Sequence, residues 1–397
     1  MTFEDFLSKI DEPFADATAV LEPPAFEEVV VDRRTGQPRQ AGADQADGPW
    51  IFQFRRRAEQ SLYVFAKGVL GLTRLTPTLH RPLCVGLTRI PPYRKLRLLP
   101  RDHLKTSVVS RALPIHVLIQ PAETNVYLPG FEGASTRILL AGETATNTEH
   151  QLRWIETQFE SNARLRALWP HRCWDNPRKE ARKWNESELV LPRTLQFPES
   201  SIETMGVGGA VTGRHYNILI KDDLVSIDAA NSAIVMAGAI EWHKASRALL
   251  DDPDRGLEFI IGTRWAVYDL YHEIMEHDPS VDVEVRSAIE EGQPIFPELF
   301  TLEGLDRLRR ELGPLFPLLY LNSPVDAAIS DFPMEEVREF TVAGNALRFQ
   351  EDERDLVLRE RLDTPAVPVP IPSGIPLNRD TYDIMAARGE FIRRARG

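Results

Sequence analysis

A lysine-threonine pair in this sequence has the residue types that bind a phosphate group and a metal ion. Lys105 and Thr106 follow an apolar segment within LLPRDHLKTS (98–107). A lysine here could reach the β- and γ-phosphates of a nucleotide, and the threonine hydroxyl could bind Mg²⁺. The strict G-x-x-x-x-G-K-[ST] pattern fails at both glycines, because Leu99 and Leu104 occupy those positions. Taken alone, the pair is more typical of an ordinary helix start.

Two adjacent carboxylates end another apolar segment. HYNILIKDDLV (215–225) runs through apolar residues into Asp222 and Asp223. In a Walker B strand the first acid holds Mg²⁺ through water and the second orients the attacking water, and Asp222 and Asp223 fit these roles. An Asp-Asp pair also ends many strands simply as a turn. Its position downstream of a lysine-threonine loop favours the catalytic interpretation.

A third apolar segment ends in a hydroxyl and a guanidinium. EFIIGTRWAVYDL (258–270) places Thr263 and Arg264 after its apolar residues. Ligands of open α/β sheets bind at the carboxyl ends of the strands, where a polar side chain can sense a γ-phosphate and pass the signal to a moving segment. Taken alone, the two residues are more typical of a helix cap and a surface charge.

The elements around these residues alternate between apolar strands and amphipathic helices. The predicted strands are 95–99, 137–143, 217–223, 257–263 and 281–288, and the predicted helices are 104–119, 146–166, 230–250 and 266–277. This alternation predicts an α/β fold, a mostly parallel sheet flanked by helices on both faces. The three motifs occur in the chain order of a P-loop NTPase of the additional-strand type, with 137–143 as the extra strand between the first two.

Composition narrows the class of protein further. Hydrophobic residues make up 43% and charged residues 27% of the 397 residues, so the chain can bury a sizeable core. No apolar run reaches the length that spans a bilayer, and the acidic N-terminus does not resemble a secretory signal. Two cysteines, Cys84 and Cys173, favour a reducing cytoplasm over a disulfide framework or a zinc site. The formal charge of −12 argues against static nucleic-acid binding over a large basic face, although a local basic patch could still grip DNA transiently.

Five motifs follow one another over residues 50–330. They are PRDHLKTS (100–107), RILLAGETATNTEHQLRWI (137–155), TGRHYNILIKDDLV (212–225), EFIIGTRWAVYDLY (258–271) and FPLLYLNSP (316–324). Together they resemble the ATPase part of the large terminase subunit, the DNA-packaging motor of tailed bacteriophages. The resemblance implies that 50–330 is a P-loop ATPase domain. The polar segment 1–49 is then an N-terminal arm or loop region, and the proline-rich segment 331–397 is a C-terminal linker or arm.

The resemblance implies roles for the residues of the phosphate loop and the Walker B strand. The ATP-binding loop would consist of Pro100, Arg101, Asp102, His103, Leu104, Lys105, Thr106 and Ser107. Arg101 would contact phosphate or couple to a neighbouring subunit, and Thr106 and Asp222 would bind Mg²⁺. Asp223 would replace the glutamate usual in this family, and its side chain is one methylene shorter.

The resemblance also implies roles outside the loop. Gly262, Thr263 and Arg264 match the coupling motif of the family, and Thr263 would act in catalysis. Arg214, after Gly213 and before the Walker B strand, would be an arginine finger that acts in trans on the next subunit's nucleotide, where it neutralises charge developing on the γ-phosphate. The alternative for Arg214 is an ordinary surface arginine.

The function that the resemblance implies is Mg²⁺-dependent ATP hydrolysis that drives double-stranded DNA into a viral procapsid. Its partners would be DNA, the capsid portal, the small terminase subunit and further copies of the chain in a pentameric ring, in the bacterial host cytoplasm and away from membranes. No nuclease domain is recognisable after residue 330, so nuclease activity is not expected. Two alternatives remain: a helicase-like nucleic-acid translocase, and a non-catalytic packaging or assembly component with a degenerate ATPase fold.

Overall fold

The computed structural model describes residues 50–323, 340–343 and 346–349. The predicted N-terminal arm 1–49 and most of the predicted C-terminal arm 331–397 lie outside the described residues. The chain divides into two units, Met1–Val325 and Asp326–Gly397. In the second unit the described part is an antiparallel pair of strands, Phe340–Ala343 and Ala346–Phe349.

The first unit is built from short strands and helices. The strands are β1 Arg94–Leu98, β2 Ile138–Gly142, β3 Trp184–Asn185, β4 Glu188–Leu189, β5 Ile202–Gly206, β6 Ile218–Asp222, β7 Leu257–Gly262, β8 Asp282–Val285, β9 Ile289–Glu290 and β10 Gln293–Pro294. The α-helices are α1 Trp50–Gln60, α2 Leu62–Val64, α3 His80–Thr88, α4 Leu113–Leu118, α5 Ala145–Ser161, α6 Ala163–Leu168, α7 Pro177–Glu180, α8 Ile227–Ala230, α9 Ala233–Ser246, α10 Leu270–His277 and α11 Leu302–Leu312. None of the helices in the described part of the chain has both the length and the apolar character that crossing a bilayer requires.

One eight-stranded sheet organises the first unit. Its strand order is β3-β4-β5-β2-β6-β7-β1-β8, and the six strands from β5 to β8 in this order are parallel. The strand before the lysine-threonine loop, β1, is separated from the two-acid strand β6 by β7. This order confirms the predicted fold class, because an additional strand between these two defines the additional-strand type of P-loop fold. The prediction that 137–143 is this extra strand is wrong: the strand between β1 and β6 is β7, whereas β2 lies on the far side of β6.

The central strands are buried on both faces. Ile138, Leu140, Ile218 and Ile220 belong to the apolar cluster that also contains side chains of α1, α3 and α5. The alternate residues, such as Leu139 and Leu219, pack with α9 and α10 on the opposite face. Burial on both faces explains why these strands have near-continuous apolar runs in the sequence. Because these strands are parallel, their carboxyl ends lie at one edge of the sheet, where the predicted site residues follow.

Several elements differ from the prediction. Four of the five predicted strands are present within one residue of their predicted ends, and the fifth, 281–288, ends three residues early at Val285. β5 and the two-residue strands β3, β4, β9 and β10 were not predicted. The predicted helix 146–166 is two helices, because Asn162 ends α5 and its side chain accepts a hydrogen bond from the Leu165 N–H to begin α6. The side chains of Ser232 and Asp269 cap α9 and α10.

The predicted helix 104–119 begins at Lys105 but changes its hydrogen bonding. Residues Ser107–Ala112 form a π-helical segment, in which the Leu113 N–H bonds the Val108 carbonyl, and α4 continues from there. Pro114 has no N–H to donate to the carbonyl of Ser110, so an α-helical ladder would be broken at this point. The wider turn lies directly before the proline, and π-turns of this kind are frequent at functional sites.

Candidate active site

Lys105 lies where the phosphate loop, the two-acid strand and the sensor strand meet. The loop follows β1, and its buried lysine donates a hydrogen bond from Nζ to the Thr263 hydroxyl, 2.8 Å away at the end of β7. The same nitrogen is 3.9 Å from a carboxylate oxygen of Asp223, at the end of β6. Three predicted site residues from three separate motifs are therefore in contact.

Asp222 is held by two hydroxyls of the helix that starts at Lys105. Thr106 donates to Oδ1 at 3.3 Å, and Ser110 donates to Oδ2 at 2.6 Å. The two donors are four residues apart and so share one helix face. Burial, followed by the negative charge of Asp223, raises the pKa of Asp222 to about 7. The ionised form of Asp222 is thus short of compensating positive charge.

Asp223 adopts an unusual backbone conformation that turns it away from the strand. Its φ is +44°, its N–H donates to the Ile261 carbonyl at 3.0 Å, and its carbonyl accepts from the Glu143 N–H at 3.2 Å. The Oδ1 atom of Asp223 is buried and receives no hydrogen bond from the described residues. A buried oxygen of this kind is costly unless a bound ion, water or ligand satisfies it.

The chemistry of these residues fits the binding of Mg²⁺ together with a nucleoside triphosphate. Mg²⁺ is usually held by one or two carboxylates together with substrate phosphates, and the hydroxyl of Thr106 beside Asp222 provides such a partial ligand set. The raised pKa of Asp222 and the unsatisfied oxygen of Asp223 are both features that a cation would relieve. The described residues contain no cluster of three or more His, Cys, Asp or Glu that could hold a metal by itself. A cation shared with a phosphate is the arrangement that matches this donor set.

The phosphate loop keeps left-handed turns without glycine. Asp102 has a φ of +62° and Leu104 a φ of +58°, and Leu104 occupies the second glycine position of the strict pattern. A left-handed conformation costs roughly 1–2 kcal/mol for a residue with a Cβ atom. Such strain persists only where surrounding contacts impose it.

Hydrogen bonds within the loop and from the segments packed against it hold this conformation. The Arg101 N–H donates to the Leu319 carbonyl at 2.7 Å, and His103 donates from Nδ1 to the Arg101 carbonyl at 2.8 Å. His80 accepts from the Thr76 N–H at Nδ1, so its Nε2–H donates to the His103 carbonyl at 3.3 Å. Burial lowers the pKa values of His80 and His103 to about 4, so both remain neutral and keep these roles near pH 7.

The remaining residues of the predicted ATP-binding loop differ in how far their side chains are exposed to solvent. Pro100 is buried under the loop, Arg101 and Asp102 are exposed, and Ser107 is half-buried at the start of the π-helical segment. Arg101 is exposed, and its contact with a phosphate or a neighbouring subunit stays a prediction.

The fifth motif, FPLLYLNSP (316–324), forms hydrogen bonds to three loops at this edge of the sheet. Besides its Leu319 contact to the phosphate loop, it places the Asn322 side chain between two of them: Oδ1 accepts from the Arg264 N–H at 3.1 Å, and Nδ2 donates to the Arg286 carbonyl at 2.9 Å. The Tyr320 carbonyl accepts from the Ala288 N–H at 2.7 Å. The segment thus joins the loops that follow β1, β7 and β8.

The coupling-motif residues have separate structural roles. Thr263 faces Lys105, whereas the Arg264 guanidinium turns back to Asp269 at 3.0 Å and to the carbonyls of Ala266 and Val267. Gly262 has a steric role, since a Cβ atom there would lie 2.0 Å from the Tyr271 hydroxyl oxygen. Of the three, only the Thr263 side chain joins the site directly.

Arg214 does not join this site within its own chain. It precedes β6, whereas Asp222 and Asp223 end that strand, so it lies toward the opposite edge of the sheet. Its half-exposed guanidinium donates to Glu203 at 2.9 Å, and the Tyr216 hydroxyl donates to the same carboxylate oxygen at 2.7 Å. Arg214 and Glu203 line a polar cleft of about 360 Å³. An action of Arg214 on a nucleotide therefore requires another subunit.

Two site residues were not predicted from the sequence. Ser110 contacts Asp222 more closely than Thr106 does, and its spacing of four residues from Thr106 was the available signal. Glu143 ends β2 beside Asp223, and its carboxylate accepts a short hydrogen bond from the Ser226 hydroxyl. The position of Glu143 at the end of the predicted strand 137–143 was visible in the sequence, but its contact with Asp223 was not.

Comparisons with known proteins find a likeness among solved structures. Protein-family models and curated proteins return no match. Among solved structures, the chain is similar to the crystal structure of the HK97 bacteriophage large terminase, with 13% identity and a TM-score of 0.36. The aligned region covers 79% of this chain and 59% of that chain, so it spans less than two thirds of the terminase's length. At this level of likeness no residue role transfers from one chain to the other.

Proposed function

We propose that this chain is an ATPase that hydrolyses Mg²⁺-bound ATP and uses the cycle to move double-stranded DNA, as the motor of a large terminase subunit does when it fills a procapsid. The observation that carries the ATPase part is the meeting of Lys105, Thr263 and Asp223 beside Asp222 and its two hydroxyl donors. The DNA-packaging part rests on the resemblance of the five sequence motifs to terminases.

Each residue of the site has a separate role in the proposed hydrolysis. Lys105 would leave Thr263 and Asp223 to bind the terminal phosphates, since a phosphate offers the ammonium a stronger partner than a hydroxyl 2.8 Å away. Thr106 and Asp222 would hold the cation, which supplies charge neutralisation at the β- and γ-oxygens when bound. Catalysis of this kind consists of positioning and electrostatic stabilisation rather than covalent chemistry by the protein.

Binding or release of the γ-phosphate could be transmitted from the site to neighbouring loops through Asn322 of the fifth motif. Thr263 contacts Lys105, and the next residue, Arg264, is bonded through its N–H to Asn322. Asn322 in turn donates to the Arg286 carbonyl in the loop that follows β8. Displacement of Lys105 from Thr263 would therefore act on the loops that Asn322 joins. This route would link nucleotide state to work on DNA.

Steady-state ATP hydrolysis tests the proposal. The wild-type chain at high protein concentration, with Mg²⁺, double-stranded DNA and portal, should turn over ATP. Lys105→Ala should lose nucleotide binding, whereas Asp223→Ala should bind ATP and lose turnover by about 100-fold or more, because general-base positioning contributes on that scale. Glu149→Gln, an acid-to-amide change on α5, serves as the matched control and should be unchanged.

Each alternative predicts a different result. Strand separation by the wild-type chain, with no response to portal, would favour a helicase-like translocase. ATP binding that is unaffected by Lys105→Ala would contradict the assignment of the phosphate loop. Binding without turnover under every condition would favour a non-catalytic assembly component.

A further inference from the structure

Three acidic residues lie at the carboxyl ends of β2 and β6, and each has its own side-chain partner. Asp222 accepts hydrogen bonds from Thr106 and Ser110, which fit it for the cation. Asp223 approaches Lys105 to within 3.9 Å. The third, Glu143, is aligned with Asp223, because Gly142 and Asp222 pair in register and the Glu143 N–H bonds the Asp223 carbonyl.

We propose that Glu143, rather than Asp223 alone, orients the attacking water in the hydrolytic reaction. This inference rests on the proposed ATPase function. The glutamate lies on the strand next to the two-acid strand and is half-buried at the sheet edge that carries Lys105. Its side chain is one methylene longer than that of Asp223, so it can reach further beyond the strand ends. Asp223 then shares the positioning of the water with Glu143 and also lies close to Lys105.

The hydrogen bond from Ser226 prepares Glu143 for this role. Ser226 donates its hydroxyl to Glu143 and accepts from the Asp228 N–H, at 3.3 Å, at the start of α8. A carboxylate held at one oxygen has a fixed direction and keeps its second oxygen for a water molecule. The serine therefore positions the glutamate, and the glutamate contacts the reacting water.

The step itself balances without any further reactant. The water oxygen bonds to the γ-phosphorus while the bond from that phosphorus to the bridging oxygen breaks, and its electron pair leaves with ADP. Glu143 accepts one proton of the water and returns it to the phosphate product. General-base assistance of this kind is worth about 100-fold to 10,000-fold in rate.

The test compares Glu143→Gln with Ser226→Ala in ATP hydrolysis and in fluorescent-nucleotide binding. Glu143→Gln should lower kcat by about 100-fold or more, with nucleotide affinity within about threefold of wild type, because the amide cannot accept the proton. Ser226→Ala should lower kcat by a smaller factor than Glu143→Gln does, because the carboxylate that accepts the proton is still present. If Glu143 only braced the loop through Ser226, the two variants would lose activity equally, and that result would overturn the inference.

Two controls separate this inference from the proposed function. Glu149→Gln, six residues along the chain, should match wild type in both assays, and equal thermal unfolding of all variants would show that they fold. Wild-type turnover that depends on Lys105 but is unchanged in Glu143→Gln would reject the role of Glu143 and leave the ATPase standing. Absence of turnover in the wild type, with ATP bound, would reject both.

Discussion

At the scale of single residues, the site depends on side chains that share one helix turn. Thr106 and Ser110 both reach Asp222 because the helix returns to the same face after four residues. The residue types of Lys105, Thr106 and Asp222 made them predictable. Ser110 was not singled out, because a serine in a helix is common and its partner comes from a strand more than 100 residues later.

Two glycines provide a matched test of close packing beside the site. Gly262→Ala should lower the free energy of unfolding by about 1–3 kcal/mol, since its Cβ would lie 2.0 Å from the Tyr271 hydroxyl oxygen and the ring must move. Gly238→Ala, in the exposed part of α9, should raise it by about 0.5–1 kcal/mol, because open space surrounds that position and alanine favours the helix. Urea unfolding of both variants checks the pair. Equal effects would show that packing against Tyr271 does not decide the choice of glycine.

At the scale of elements, the sequence predicted the strands with the longest apolar runs, together with the exposed edge strand β8. β2 is apolar throughout, and β6 and β7 stand out in the sequence although each also contains a buried charged residue, Lys221 and Glu258. β5 was missed because it contains Glu203 and Thr204 between its apolar residues, and because it pairs with the short antiparallel β4 on its outer side. The π-helical segment was missed as well, since its residues have the apolar spacing of an ordinary helix and its hydrogen bonding is visible only in the folded chain.

A glutamate within α5 gives that helix a predictable pH dependence. Burial, followed by the charge of Glu160 one turn later, raises the pKa of Glu156 to about 7, and its Oε1 is buried without a hydrogen bond from the described residues. The folded state therefore binds the proton more tightly than the unfolded state. Its contribution is lost as pH rises from about 4.5 to about 7, because ionisation then disfavours the fold.

Glu156→Gln should remove this dependence. At pH 8 the variant should be more stable than wild type by about 1–2 kcal/mol, a value reduced from the full pKa shift because the side chain is partly solvated. At pH 4 the two should be alike, since glutamic acid is then protonated in both states. Urea unfolding at pH 4, 6 and 8 measures the difference, with Glu149→Gln on the same helix as control. A difference that does not change with pH would contradict the raised pKa.

At the scale of the whole molecule, one chain holds only part of the proposed machinery. Lys105, Thr263 and the acids lie at the carboxyl ends of the strands, while Arg214 precedes β6 and pairs with Glu203 toward the opposite edge. The sequence identified Arg214 as part of a motif but did not show its distance from the other site residues. The sheet direction now requires that any arginine finger at this position act on a neighbouring subunit, so activity should depend on assembly.

Mixing two inactive variants tests this dependence. Arg214→Ala alone should lose ATP turnover by up to about 1,000-fold, as removal of an arginine finger does, while it still binds ATP. Lys105→Ala alone should bind no ATP. In an equal mixture, a subunit with intact Lys105 meets a neighbour with intact Arg214 at about one interface in four, so turnover should recover toward a quarter of the wild-type rate. Glu203→Gln, which removes only the ion-pair partner of Arg214, should stay active. If Arg214 serves only to neutralise Glu203 within its own chain, Arg214→Ala should unfold more easily, and mixing should restore no turnover.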